Sequence, residues 1–289
     1  MDAKAKQKIQ IQVGTLKNLP VLPEASLRIL EAINTPDVSI DKLAAVLSLS
    51  PGLVARLLGL ANSAYFARGK DVGDVRTAIF QVLGLDLVKA LSMAIIFNIQ
   101  FDTRKCQEFD SEHFWMRSLL TAVAAQKLAA DAGQLRASAP SAVYASGLLL
   151  DIGIMVLAYL MPDDLNDIFL ASKKNQLTVS EEIVRRLGQS HFQLGYLLLN
   201  KWQLPLLYQT VLQHYDDGQF SGPEQSLLML LRICRRLSAV LVAGKAIDTL
   251  EFEHVCRQLD LPMARLNELV EQLSENKEAI QNLASIMRN

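Results

Sequence analysis

Residues 147–153 read Gly147-Leu148-Leu149-Leu150-Asp151-Ile152-Gly153, at the centre of an apolar run from Ala142 to Met161. A run of that length could cross a membrane. Here Ser146, Gly147, Asp151 and Gly153 interrupt it, and Pro162-Asp163-Asp164 closes it. A carboxylate in apolar surroundings is costly unless something pairs with it. The stretch therefore predicts two buried helices, near 141–150 and 153–161, broken beside Asp151. Asp151 itself has two readings: a cap for the second helix, or a polar group in a pocket.

Outward from this centre the apolar spacing is helical nearly throughout, and no long β-branched alternation appears, so the fold class is all-α. Ala25 to Ile33 reads as a helix after the extended entry Leu19-Pro20-Val21-Leu22-Pro23. Ser39 can cap a helix whose face is Ile40, Leu43, Ala44 and Leu47. Ser50-Pro51 is a second start signal. Further helices are expected near 75–83, 85–98, 113–131, 163–174, 179–187 and 190–201, and from Pro205 to His214. Thr178 and Glu181 have capping-box spacing. Beyond the polar loop Asp216 to Pro223, helices are expected near 224–242, 248–258 and 262–287.

Composition narrows the function classes. The chain has 289 residues, 51% of them hydrophobic, and a positive mean hydropathy, which indicates a large core. The 29 basic and 30 acidic residues give a net charge of −1. That balance argues against wrapping nucleic acid or lying on anionic lipid. Cys106, Cys234 and Cys256 are odd in number and far apart, which suits free thiols in a reducing cytoplasm. Met1 to Val13 lacks the apolar segment of a secretory signal. No glycine-rich phosphate loop, Gly-x-Ser-x-Gly elbow or Cys-x-x-Cys occurs.

Several ordered motifs carry a family resemblance. Leu19-Pro20-Val21-Leu22-Pro23 is similar to the opening proline motif of the HDOD proteins, the HD-related output domains of bacterial signalling. Ser50 to Ala64, reading SPGLVARLLGLANSA, resembles their DPALTARLLRLANSA stretch. Thr77 to Leu83 with Gly84-Leu85 resembles their AIxxLGL segment, and Ser190-His191, Gly195, Trp202 and Leu204-Pro205 resemble SHxxxGxxLxxxWxLP. Residues 147–153 resemble the Gly-Leu-Leu-His-Asp-Ile-Gly of the wider HD superfamily of metal-dependent phosphohydrolases. The resemblance implies an HDOD domain over 19–215. Its parts would be an N-terminal helical subdomain (19–105) and a degenerate HD-type core (106–215), with a C-terminal helical extension (216–289) packed on the core.

The resemblance also assigns a vestigial HD pocket. The first histidine position holds Arg117, a permanent cation. The histidine of the His-Asp pair is Leu150, which has no lone pair, and its aspartate remains as Asp151. His191 is kept, and a later His-His pair survives as His214-Tyr215. The distal aspartate has no counterpart among Arg232 to Ser238. The expected catalytic, metal and cofactor sets are therefore empty, and Arg117 is expected to pair with Asp151 in the metal's place. Read as residues alone, His191 is a hydrogen-bonded core histidine, Trp202 is core packing, and His113 and His254 lie at the surface.

The expected function is a noncatalytic, cytoplasmic signalling module that binds a protein partner, from a two-component or cyclic-dinucleotide system, or a small ligand. One alternative is a phosphohydrolase with an atypical site around Asp151, His191 and His214. Another is a DNA-binding regulator acting through 39–62, which resembles a helix-turn-helix. From Pro51 to Leu60, however, Arg56 is the only charge, too few for phosphate contacts.

Overall fold

The computed structural model describes residues 19–35, 37–67, 72–136 and 138–288. The reading of Met1 to Val13 as free of a secretory signal lies outside them. The fold is all-α, and no strand occurs among the described residues. The helices are α1 (Glu24–Asn34), α2 (Ile40–Leu47), α3 (Pro51–Ala61), α4 (Leu85–Gln100), α5 (Ser111–Asp131), α6 (Pro140–Leu149), α7 (Ile152–Leu160) and α8 (Pro162–Asn175). They continue as α9 (Val179–Leu187), α10 (His191–Lys201), α11 (Leu206–His214), α12 (Gln225–Val242), α13 (Glu253–Gln258), α14 (Met263–Glu275) and α15 (Lys277–Arg288).

Local chemistry sets most of the boundaries. The Ser39 hydroxyl accepts from the Lys42 amide at 3.2 Å and starts α2. Thr178 and Glu181 form a reciprocal capping box at the start of α9. Pro51 opens α3, although the Ser50 side chain makes no capping bond. Two expected helices differ in detail. The 75–83 segment is one short turn, Val75–Thr77, running into a π-helix, Ala78–Leu83. The expected helix 262–287 is two, α14 and α15, broken at Asn276, whose side chain donates to the Gln272 carbonyl at 2.7 Å. A side chain that bonds back to its own helix end competes with continuation of that helix.

The central apolar run behaves as its glycines and aspartate suggest: α6 ends at Leu149 and α7 begins at Ile152. Pro140–Leu160 is long and apolar enough to cross a membrane, but 89% of its apolar window is buried inside the protein. Asp163 and Asp164 then lie in the first turn of α8, where carboxylates favour a helix start.

Contacts divide the chain into two units that interleave along the sequence. The first takes Leu22–Asn98, Glu112–Leu149 and Phe220–Asn289. In it Trp115 donates to Asn98 at 3.0 Å, and Asn98 donates to the Met287 carbonyl at 2.8 Å, tying α4, α5 and α15 together. Thr121 and Ser238 share a hydroxyl bond of 2.8 Å between α5 and α12. A Cβ on Gly147 would lie 2.8 Å from Ala122 Cα, so α6 can approach α5 this closely only with glycine there. The tail thus joins helices from both 22–98 and 112–149. Leu227, Leu228, Leu231 and Cys234 of α12 are at most 5% exposed. Cys106, Cys234 and Cys256 are all free and buried.

The second unit takes residues 19–21 of the described entry segment, Ile99–Ser111 and Leu150–Gln219. In it α7 packs on α10, α10 on α11, and α8 on α9. Phe101 stacks on Trp202, ring centroids 5.7 Å apart, and meets Tyr159 edge-on at 5.4 Å, so Trp202 serves packing. The Glu182 side chain, fully enclosed, accepts from Arg185 at 2.7 Å, Arg186 at 2.7 Å and Asn175 at 3.3 Å.

Two predictions follow from these contacts. A chain shortened to 1–219 strips the cover from α4, α5 and α6, and should be less soluble and melt earlier than the full chain; equal behaviour would mean the tail is not docked. The Arg185 hydrogen bond leads the effects that hold the Glu182 carboxyl down to about 2, against the upward push of burial. Its folded pKa lies below the ordinary 4.5, so its stabilisation is present above that value and is lost as pH falls towards about 2. Glu182→Gln should therefore melt earlier than wild type at pH 7, with the gap closing in acid; a gap independent of pH would contradict this.

Candidate functional site

Asp151 and His191 meet at the centre of the second unit. Asp151 stands at the N-cap position of α7, yet its side chain makes no capping bond to that helix. The carboxylate is 2.8 Å from His191 Nε2. Of the two sequence readings, the pocket role fits this geometry better than the cap. His191 is fully buried and Asp151 is 5% exposed, so each polar group needs the other.

The backbone explains how two residues forty positions apart meet. His191 opens α10, where the Ser190 hydroxyl accepts weakly from the Gln193 amide at 3.4 Å. A Cβ built on Gly153 would lie 1.8 Å from the His191 carbonyl oxygen and 3.0 Å from the Gly195 nitrogen. Any side chain at 153 would push α7 away from α10 and pull Asp151 off the imidazole. The glycine that ends the 147–153 stretch and the glycine four residues after His191 are thus the two faces of one close helix crossing.

Aromatic rings complete the group. The His191 and Phe192 rings lie 3.9 Å apart by centroid, and Phe192 lies 4.0 Å from Tyr215. Tyr215 is 8% exposed. Its neighbour His214 is turned towards Asp217, 3.9 Å away, and is 31% exposed. The structure therefore gathers Asp151, His191 and Tyr215, while His214 sits at the end of α11 near the surface. Arg117, on α5, belongs to the first unit. Within its own unit the Asp151 carboxylate is held by His191, a pairing the sequence reading did not foresee. The available signal was the pair of glycines, Gly153 and Gly195, each beside one member of the pair.

Leu150 is buried, 1% exposed, and offers no ligand atom. Among the described residues no three His, Cys, Asp or Glu side chains come together in a way that could hold a metal ion.

This geometry yields a double-mutant prediction. Asp151→Ala and His191→Ala should each cost about 1–3 kcal/mol, since either removes the buried hydrogen bond between them. The double variant should cost less than the sum. Gly153→Ala should destabilise at least as strongly as either, through the clash with the His191 carbonyl. Strict additivity, or a stable Gly153→Ala, would contradict the contact, and chemical denaturation measures all four.

Comparison with known proteins agrees with the fold. The family model of the HDOD domain matches residues 19–217, more than half of the chain. An uncharacterized protein of Treponema pallidum (strain Nichols) is 29% identical over 212 residues, which are 68% of this chain and 39% of that protein. A solved structure assigned to signal transduction, from Marinobacter aquaeolei VT8, superposes with a TM-score of 0.82 at 23% identity over 99% of this chain and 64% of that one. An HDOD domain protein of unknown function from Geobacter sulfurreducens gives 0.76 at 21% identity, covering 96% and 98%. The chain spans about two fifths of the Treponema protein and under two thirds of the Marinobacter protein. Matched over its proline entry, its SPGLVARLLGLANSA stretch and its Asp151–His191 crossing, the chain belongs to the HDOD domain family.

Proposed function

We propose that this chain is a noncatalytic signalling module that works by binding, with a protein partner or small ligand as its target and the cytoplasm as its place. HDOD membership supports a signalling role, as does the signal-transduction assignment of the Marinobacter relative. Three buried free thiols suit a reducing compartment. A partner from a two-component or cyclic-dinucleotide system would act in trans.

The observation that carries the noncatalytic reading is the Asp151–His191 bond. The HD superfamily implies a divalent metal that activates water. The residues present do not fit it. Leu150 and Arg117 have no lone pair to donate at the matched positions. Asp151 and His191 spend their facing atoms on each other at 2.8 Å, and both are buried. Catalytic metal sites need three protein ligands and an open position. The pair has a structural use in place of a chemical one: it locks α7 to α10 and keeps the unit in one conformation.

Protein purified without chelator should carry well under one transition metal per chain and should not hydrolyse phosphomonoesters, phosphodiesters or nucleotides. One stoichiometric metal, with turnover abolished in Asp151→Ala, would overturn this reading in favour of a phosphohydrolase.

A further inference from the structure

The first unit holds a cation that no described residue neutralises. Arg56 is the only charged side chain on α3. It borders the core face made by Leu53, Leu57 and Leu60, each 0% exposed. Its Nη1 is enclosed and meets no hydrogen-bond acceptor, and the guanidinium enters no ion pair among the described residues. Burial lowers its pKa, but a guanidinium stays charged at any physiological pH.

Among the described residues, the elements with the main contacts to α3 supply no counter-charge. They are Val75–Thr77, the π-helix and α15. Val75–Thr77 and the π-helix carry no acid, and α15 carries only Glu278, in its first turn. That residue is eight positions from Ile286, whose Cγ2 would lie 3.2 Å from a Cβ built on Gly59 of α3. Asp74 is engaged with Thr77 and Asp41 with Arg76. An arginine that only covers apolar surface keeps its head in water; an enclosed Nη1 does not follow from that. A partly buried cation without a partner is costly, and an oxyanion accepting parallel N–H bonds is the group that best offsets the cost.

We infer that Arg56 is an oxyanion-binding residue, taking a phosphate or carboxylate group presented by a ligand or partner. The site lies in the first unit and is independent of the Asp151–His191 pair, so either can fail alone. The test is thermal melting of the full chain in chloride, then with inorganic phosphate or succinate added at matched ionic strength, for wild type, Arg56→Met and Arg56→Lys. The wild-type midpoint should rise with the logarithm of oxyanion concentration, and the more effective anion identifies the source. Arg56→Met should lose that rise, Arg56→Lys should keep part of it, and Arg56→Met in chloride should melt at or above wild type. No rise in wild type, or the same rise in Arg56→Met, shows an adventitious ion only and overturns the assignment. So does an Arg56→Met that melts well below wild type in chloride, because the guanidinium would then be satisfied inside the fold.

Discussion

The second unit depends on one contact, the 2.8 Å bond between Asp151 and His191. A carboxylate and an imidazole are both expensive to bury, and the contact offsets part of that cost for each while joining α7 to α10. It exists only because Gly153 lets the two backbones approach. The order of cause runs from a missing side chain, to a close crossing, to a polar bond, to a rigid pair of helices. Phe192 lies against the imidazole, and Tyr215 lies against Phe192.

The same contact governs the chemistry. In an HD enzyme the corresponding positions would be held apart by a metal that binds each of them. Here leucine stands at 150, and the surviving aspartate and histidine bond directly. On the noncatalytic reading proposed above, the pair would bind no metal and activate no water. On that reading its use would be mechanical: helices held in one arrangement would present one surface to a partner, lowering the ordering cost of association. The Glu182 cluster contributes in the same sense, fixing α9 through two arginines.

Much of the fold was legible in the residues. Ser39 and the Thr178–Glu181 box announce their helices because capping is a local matter. The broken apolar run at 147–153 announces a buried helix pair because a carboxylate between two glycines does not belong in a membrane span. Other features were hidden because they depend on tertiary contacts. The π-helix at Ala78–Leu83 has a helical hydrophobic pattern like any other. The break at Asn276 rests on one side-chain bond back to Gln272. The tail's partners span residues far apart in sequence, which no local pattern reports. His191 read as a core histidine and Asp151 as either cap or pocket. Each reading was sound for its residue, yet their pairing across forty positions was carried only by the glycines beside them.

The central claim is that Asp151 and His191 are engaged with each other and closed to metal. The most direct measurement is histidine-selective ¹⁵N NMR of the full chain during titration with Mn²⁺, whose unpaired electrons broaden the signals of any nucleus it approaches. The account predicts that the His191 ring signals stay sharp at stoichiometric Mn²⁺, while exposed histidines such as His113 and His254 broaden only through weak encounters. Selective loss of the His191 signals at one equivalent of Mn²⁺ would contradict it.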